Sequence, residues 1–522
     1  MLAEPLSTYN LPFSFSITFN DMFSAVSDSH ALSRAESITT ATDDGSSDCL
    51  DSSIVDFKSL AYVNKEALFA KGFAAQDLRL KLLSGTNIVF FGAGYRSKRF
   101  VYERAAQLGV NVVVVDEPDS WVQELVHEGV VQRYIPLDIN QHDHDKLHAE
   151  AVEALSELDR IDGICTVWEI SILPVARLCE EFGLPGCPVR AIELARDKQR
   201  TRDALDKAEL PGIRHKMILS EADLGSAAEY VGFPAVLKPV SGCASLGVQK
   251  VTDLDDLVNV YRSTRKEFMD LVFVNGAFVH NAASADHAFE FGSFMLEEYL
   301  DGAEVDVDIV MSDGVATYVC VHDNGPTLEP HFNETWDLLP SALPTEQVAA
   351  LEDLAVNSVL AMGFTMGVFH VEAKYTSRGP RLIEVNARMG GGTVHMMHKE
   401  ATGVDLVDEQ LLLAVGLPSI PPQFAAEDQR VVACATVNAL KSGRISDLEF
   451  THKWDSIDGV KVLCNHILIS QGESITGPED GLPTWLTDLV FSAPIDRQLH
   501  VKDLVIRLDR EVAEDFLNHY DP

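Results

Sequence analysis

Residues 379–392 read GPRLIEVNARMGGG. This is an apolar strand that delivers a carboxylate, an amide and a guanidinium at alternate positions, so its period of two puts Glu384, Asn386 and Arg388 on one face. Just upstream, Phe369-His370-Val371-Glu372-Ala373-Lys374 does the same with His370, Glu372 and Lys374. The intervening Thr376-Ser377-Arg378-Gly379 has the composition of a hairpin turn. Two paired strands then bring Glu372, Glu384 and Asn386 together, a hard all-oxygen set that suits magnesium held jointly with phosphates rather than zinc. Two solvated strands with charged outer faces fit the same pattern, and the hairpin alone leaves both readings open.

Further toward the N-terminus, Phe233–Pro239 places Lys238 at the end of a short apolar strand, followed by the small-residue loop Ser241–Gly247. Such a loop lays backbone N–H groups on a phosphate while the lysine supplies point charge. The G-x-x-x-x-G-K-[ST] order is absent. Residues 294–308 couple an apolar strand, a turn at Asp301-Gly302 and a second strand with acids near the turn, which in isolation reads as a surface edge. Earlier still, Gly92-Ala93-Gly94 follows the apolar run Asn87–Phe91, and Asp116 ends the next one. That is the start of a dinucleotide-binding fingerprint, but Ser97 stands where its third glycine belongs, so the turn reads as a tight turn in a doubly wound sheet.

The rest of the chain sets the frame. At 522 residues it is long enough for about three units with their own cores. A formal net charge of -39 opposes binding to nucleic acid backbones or anionic membrane surfaces, both of which need a positive face. The apolar runs are far below the roughly 20 residues of a spanning helix. No Lys or Arg precedes Arg34, and Pro12 and Ser14 break the apolar patch Leu11–Phe19, so neither a secretory signal nor a transit peptide is expected and the cytoplasm is the expected location. The eight cysteines include no C-x-x-C pair and read as reduced thiols.

Residues 1–55 read as a disordered acidic Ser/Thr-rich tail, and residues 56–85 as a lead-in helix stopped near Gly85. Alternating strand and helix patterns over 86–195 predict a doubly wound α/β domain. Residues 196–415 form the central unit with the charged motifs. After Gly416-Leu417-Pro418 the pattern becomes strand-like, predicting a β-rich domain over 416–522.

Taken in order along the chain, these motifs resemble the ATP-grasp superfamily of carboxylate–amine ligases, over roughly residues 87–415. The resemblance implies an α/β ATP-grasp fold with an N-terminal doubly wound domain and a C-terminal β-rich domain. It also implies ATP and Mg2+, with Mn2+ as a substitute. Asp197-Lys198-Gln199-Arg200-Thr201-Arg202 looks like the first ATP lysine segment, placing Lys198 toward the α-phosphate; read alone, Lys198 is an ordinary helix lysine. Lys238 looks like the second ATP lysine, and Ser241–Gly247, with Ser241 and Ser245, like the glycine-rich loop over the β- and γ-phosphates. Glu297 and the Glu298–Leu300 backbone look like the adenine hinge, and Glu304 like the ribose acceptor. Glu372, Glu384 and Asn386 match the metal ligands, and Arg388 is placed to hold an acyl phosphate.

Within the superfamily the resemblance is strongest to carnosine-synthase-like amino-acid ligases, carried by His370–Lys374, Gly379–Gly392, Asn324–Thr327, Phe332–Thr335 and Leu339–Ser341. The implied reaction joins an amino acid or other carboxylate to an amino-acid amine through an acyl phosphate, with Lys238 and Arg388 neutralising charge. No covalent nucleophile is required. The base for the amine stays unassigned among His370, His331 and His395. Small-molecule substrates and a homodimer or higher homo-oligomer complete the expectation. A carboxylase or nucleotide-metabolism ligase of the same fold, or a non-catalytic nucleotide sensor, are the alternatives.

Overall fold

The computed structural model describes residues 65–141, 143–240, 246–269, 271–274, 277–280 and 293–521, all within one compact unit. The expected acidic tail lies outside the described residues. The lead-in helix is described from Lys65, and it is not continuous: helices Lys65–Leu68 and Phe73–Lys81 are separated at Gly72, whose φ of 99° breaks helical geometry.

Strands β1 (Asn87–Phe91), β2 (Asn111–Asp116), β3 (Arg133–Pro136) and β4 (Gly163–Cys165) form a parallel sheet in the order β3-β2-β1-β4. Their continuous apolar runs follow from burial on both faces. Ile88, Phe90, Val112 and Val114 enter one core, whereas Val89, Phe91, Val113 and Val115 enter another.

A second sheet, ordered β5-β10-β6-β7, contains β5 (His215–Ile218), β6 (Ala235–Pro239), β7 (Gln249–Val251) and, after a separate antiparallel pair of β8 (Leu271–Val274) and β9 (Ala277–His280), β10 (Phe294–Glu298). The largest sheet has eight strands in the order β15-β14-β11-β12-β13-β16-β20-β18. These are β11 (Ala303–Ser312), β12 (Val315–Asn324), β13 (Trp336–Leu339), β14 (Gly367–Thr376), β15 (Gly379–Asn386), β16 (Arg430–Asn438), β18 (Lys461–Ile467) and β20 (Trp485–Pro494). A small sheet of β17 (Gly443–Ile445), β19 (Ser474–Ile475) and β21 (Tyr520–Asp521) lies beside them.

The C-terminal strands therefore extend the central sheet, because β13 pairs with β16. Within the expected β-rich region, Lys461–Ile467 forms one strand, β18, and the 20-residue helix Gln498–Leu517 covers the C-terminal end of the sheet through Val501, Leu504, Val505 and Leu508. Among the described residues no helix is long and apolar enough to cross a membrane.

Alternation along β11 decides where the site lies. Val305, Val307, Ile309 and Met311 pack with Leu351, Leu354 and Val359 of the helix Thr345–Ala361. Glu304, Asp306 and Asp308 therefore occupy the opposite face.

Candidate active site

On that polar face, strand register lines up side chains in rows. Glu384 of β15 is opposite Glu372 of β14, Glu372 is opposite Asp306 of β11, and Asp306 is opposite His322 of β12. The next row runs Asn386, His370, Asp308 and Cys320. A bulge in β15 just before Glu384 keeps both carboxylates of the Glu372/Glu384 pair on this face.

The expected metal set is brought together, with one difference in orientation. Asn386 Nδ2 donates to Glu372 Oε1 at 3.2 Å, while its Oδ1 accepts from Arg388 at 3.4 Å. A cation on the two carboxylates takes the Asn386 oxygen only if that amide rotates. Burial first, and then Glu384, push the Glu372 carboxyl up to about 8. A buried carboxylate facing a second one is the electrostatic condition that a hard divalent cation relieves.

Lys198 opens the helix Lys198–Lys207, which Asp197 caps by accepting from Arg200 N–H. Its Nζ reaches Glu384 Oε2 at 3.0 Å, joining the second sheet's neighbourhood to the metal pair. Burial opposes the lysine's charge, but Glu384 outweighs it and raises the pKa. Lys238 lies on β6 opposite Met295 of β10, and its ammonium contacts Glu297 Oε2. Arg202 Nε donates to the other Glu297 oxygen at 2.8 Å and Arg202 Nη2 to the Ile383 carbonyl at 2.8 Å. Burial works against the Glu297 charge, yet Arg202 and Lys238 overcome it and lower the carboxyl to about 2. Burial lowers the Lys238 pKa, with Arg202 and Lys198 adding to it against Glu297. Glu297 thus anchors a cluster of cations facing the carboxylate rows, and this is its role in the geometry, beside any at a hinge.

Glu298 points elsewhere, accepting from Arg214 Nε at 3.0 Å and Arg378 Nη2 at 2.8 Å, and its backbone N–H is taken by the Arg214 carbonyl. Leu300 is buried beside it. Glu304 pairs with Lys374 at 3.1 Å. Ser241 and Ser245 lie outside the described residues. Arg388 is held by Glu169 at 2.8 Å and by the Met389 carbonyl. Lys98, whose ammonium is lowered to about 8 by burial and by Arg388, sits close by.

Several participants were not legible beforehand. Arg202 and Lys98 have no assigned role of their own in the sequence. Asp306 and Asp308 belonged to the acidic hairpin read as a surface edge, but Asp308 is fully buried and Asp306 nearly so. The signal lay in the alternation from Glu304 to Ile309, where Glu304, Asp306 and Asp308 interleave with Val305, Val307 and Ile309. His395 stacks on Phe100 with ring centroids 3.5 Å apart and is lowered to about 4 by burial, so it is a packing residue. His370 bonds Asp308 at 3.0 Å; burial opposes its charge, but Asp306 and Asp308 push it up to about 10, which makes it a cation rather than a base.

The glycine turn after β1 is filled by protein. A Cβ on Gly92 would collide with Ser171 Oγ, and one on Gly94 would meet the Trp168 ring at 3.2 Å. Asp116 beneath it bonds Ser120 and the Ala93 backbone. The cysteines at 165, 179, 187, 320, 434 and 464 are free thiols, while Cys49 and Cys243 lie outside the described residues.

Known proteins are similar to this chain in sequence and fold. Residues 231–396 match the ATP-grasp domain model and residues 102–186 the ATP-grasp N-terminal domain model. Carnosine synthase 1 of Gallus gallus is 34% identical over 387 residues, covering 70% of this chain and 40% of that protein. The alanine–anticapsin ligase of Bacillus subtilis strain 168 is 32% identical over 281 residues, covering 52% of this chain and 58% of that protein. The chain thus spans less than two thirds of the length of either relative. The crystal structure of the L-amino acid ligase of Bacillus licheniformis shares the fold with a TM-score of 0.68 at 22% identity, over 82% of this chain and 98% of that one.

Proposed function

Since the chain belongs to the ATP-grasp superfamily, we propose that it is an ATP-dependent, ADP-forming carbon–nitrogen ligase joining a carboxylate, most simply an amino acid, to an amino-acid amine. The observation that carries this reading is the 3.0 Å contact of Lys198 with Glu384, where the cations of the β6/β10 sheet meet the paired carboxylates of β14 and β15.

Glu372, Glu384 and, with its amide turned, Asn386 would hold Mg2+ or Mn2+, which supplies charge neutralisation at the β,γ-phosphate oxygens. Lys198 and Lys238 bind the phosphates, joined by Ser241 and Ser245 of the small-residue loop. Glu304 accepts from the ribose hydroxyls, and the Glu298–Leu300 stretch borders the adenine. A substrate carboxylate oxygen attacks the γ-phosphorus, breaking its bond to the β-bridging oxygen and giving an acyl phosphate and ADP. Arg388, oriented by Glu169, holds the acyl phosphate. The amine nitrogen then attacks the acyl carbon, losing a proton as phosphate leaves. All of this is positioning and electrostatics, with no covalent enzyme intermediate.

The same reading divides the chain into an N-terminal α/β domain over 86–195, an ATP-grasp domain over 196–415 and a β-rich domain over 416–522. The tail at 1–55 and the lead-in segment at 56–85 precede them. It places the protein in the cytoplasm as a homodimer or higher homo-oligomer acting on small molecules, with dipeptides as the product class.

The test is release of ADP and phosphate from ATP and Mg2+ across pairs of amino acids, β-alanine included, with mass detection of the amide. One pair should produce phosphate and a new amide mass together, and E384A should lose both by about 10²–10³-fold. ATP turnover with bicarbonate and no amine would move the protein to the carboxylase branch.

A further inference from the structure

One side-chain cluster on the polar face is not used by the ligase reading. Asp306, His322 and His370 come from three neighbouring strands, and one ligand atom of each lies within 4.8 Å of the other two. His322 Nε2 is 3.4 Å from Asp306 Oδ2, and His370 Nε2 is 3.5 Å from the same oxygen. Direct charge-assisted hydrogen bonds would close to about 2.7–2.9 Å. Ligands of one tetrahedral ion, each about 2.0–2.2 Å from the metal, stand about 3.4 Å apart. The observed separations match the second arrangement.

Three further observations point to a ligand. His322 is completely buried, and among the described residues neither of its ring nitrogens has a hydrogen-bond partner; Asp306 Oδ1 is likewise unpartnered there. The orienting shell of a metal site is already built. Asp308 Oδ1 takes His370 Nδ1 at 3.0 Å, leaving Nε2 directed at Asp306, and Asp308 Oδ2 takes His398 Nε2 at 2.8 Å. Asn324 Nδ2 donates to Asp306 Oδ2 at 3.0 Å.

We propose that Asp306, His322 and His370 form a second cation site, selective for an imidazole-preferring divalent transition ion of the zinc class. It adjoins, but is distinct from, the oxygen-lined pair Glu372/Glu384. Two imidazoles and one carboxylate disfavour Mg2+ and suit zinc, with a coordination position left open. Binding displaces the proton from His370 Nε2 and adds positive charge one register position from Glu372. This goes beyond the ligase reading and does not depend on it.

The test uses the full-length protein, stripped with chelator and titrated with Co2+ in excess Mg2+, which saturates the oxygen set. Visible absorption bands of tetrahedral Co2+ should saturate at one equivalent and be abolished by Zn2+. H322F and D306N should each lose these bands, and D308N, which removes only the orienting carboxylate, should weaken Co2+ by about 10- to 100-fold. E384Q, which disables the phosphate cation site, should keep them. Absence of bands in the wild-type protein overturns the proposal, and so do bands that persist unchanged in folded H322F and D306N. If both variants fail to fold, the wild-type stoichiometry and zinc competition decide the matter. A protein that shows the bands but ligates no amino-acid pair would overturn the ligase reading and leave this one standing.

Discussion

Two buried glutamates in this molecule are shifted in opposite directions. Glu297 on β10 is lowered to about 2, because Arg202 and Lys238 overcome its burial. Glu409, on the helix Leu406–Ala414, is pushed up to about 7 by burial, and its neighbours are neutral donors: Ser419 Oγ at 2.5 Å and the Gln76 amide at 2.6 Å. Arg79 is near but bonds Gln76 and the carbonyls of Leu68, Ala70 and Ile420 instead. Burial sets the same penalty on both, and the partners decide the outcome. Glu297 faces the carboxylate rows through its cations. Glu409 fastens the lead-in helix to the rest through Gln76.

The largest test of that contrast is K238M. It leaves Glu297 buried with Arg202 alone, so unfolding free energy should drop by about 3 kcal/mol, and K238M/E297Q should recover part of the loss. Denaturant titration checks this; a K238M protein as stable as wild type would mean that Glu297 is not held by its second cation.

E409Q separates the two glutamates by pH. A folded carboxyl at about 7, above an unfolded value near 4.5, keeps its proton when the unfolded chain has lost it. Its stabilisation is therefore complete below pH 4.5 and declines as pH rises through 7. The shift corresponds to on the order of 3 kcal/mol. E409Q should flatten that part of the stability profile, whereas Glu297, lowered when folded, contributes only to the acid limb, where stability falls as pH drops from about 4.5 through 2. Thermal melts across pH 2–8 distinguish the two.

The smallest effect is expected from G92A, which touches no charge. At φ 80° and against Ser171, an added methyl should cost about 1–3 kcal/mol with the pH profile unaltered. A change in that profile would show that the turn and the buried charges are coupled.

Legibility in the sequence followed the range of the interactions. The hairpin of β14 and β15 was readable from its two-residue turn, but the turn's register alone would set Glu372 opposite Ile383; the bulge before Glu384, which the sequence did not announce, brings Glu384 opposite Glu372. The glycine turn after β1 was correctly read as a turn. The acids at 306 and 308 were misread, because a charged alternation looks the same whether water or a second layer lies above it. The break at Gly72 was missed since helical spacing continues across it.

The amino-acid order alone determined the parallel sheet, the metal-type carboxylate pair and the lysines that precede it, since periodicity, turn chemistry and motif order are local properties of the chain. Only the tertiary structure decided which charges share a buried space. The union of Lys238 with Glu297 depends on the pairing of β6 with β10, and that of His322 and His370 around Asp306 on β11 lying between β12 and β14. Coulombic and coordination partners act over a few ångströms in space, and strand order, which no local pattern encodes, brings those residues within that distance.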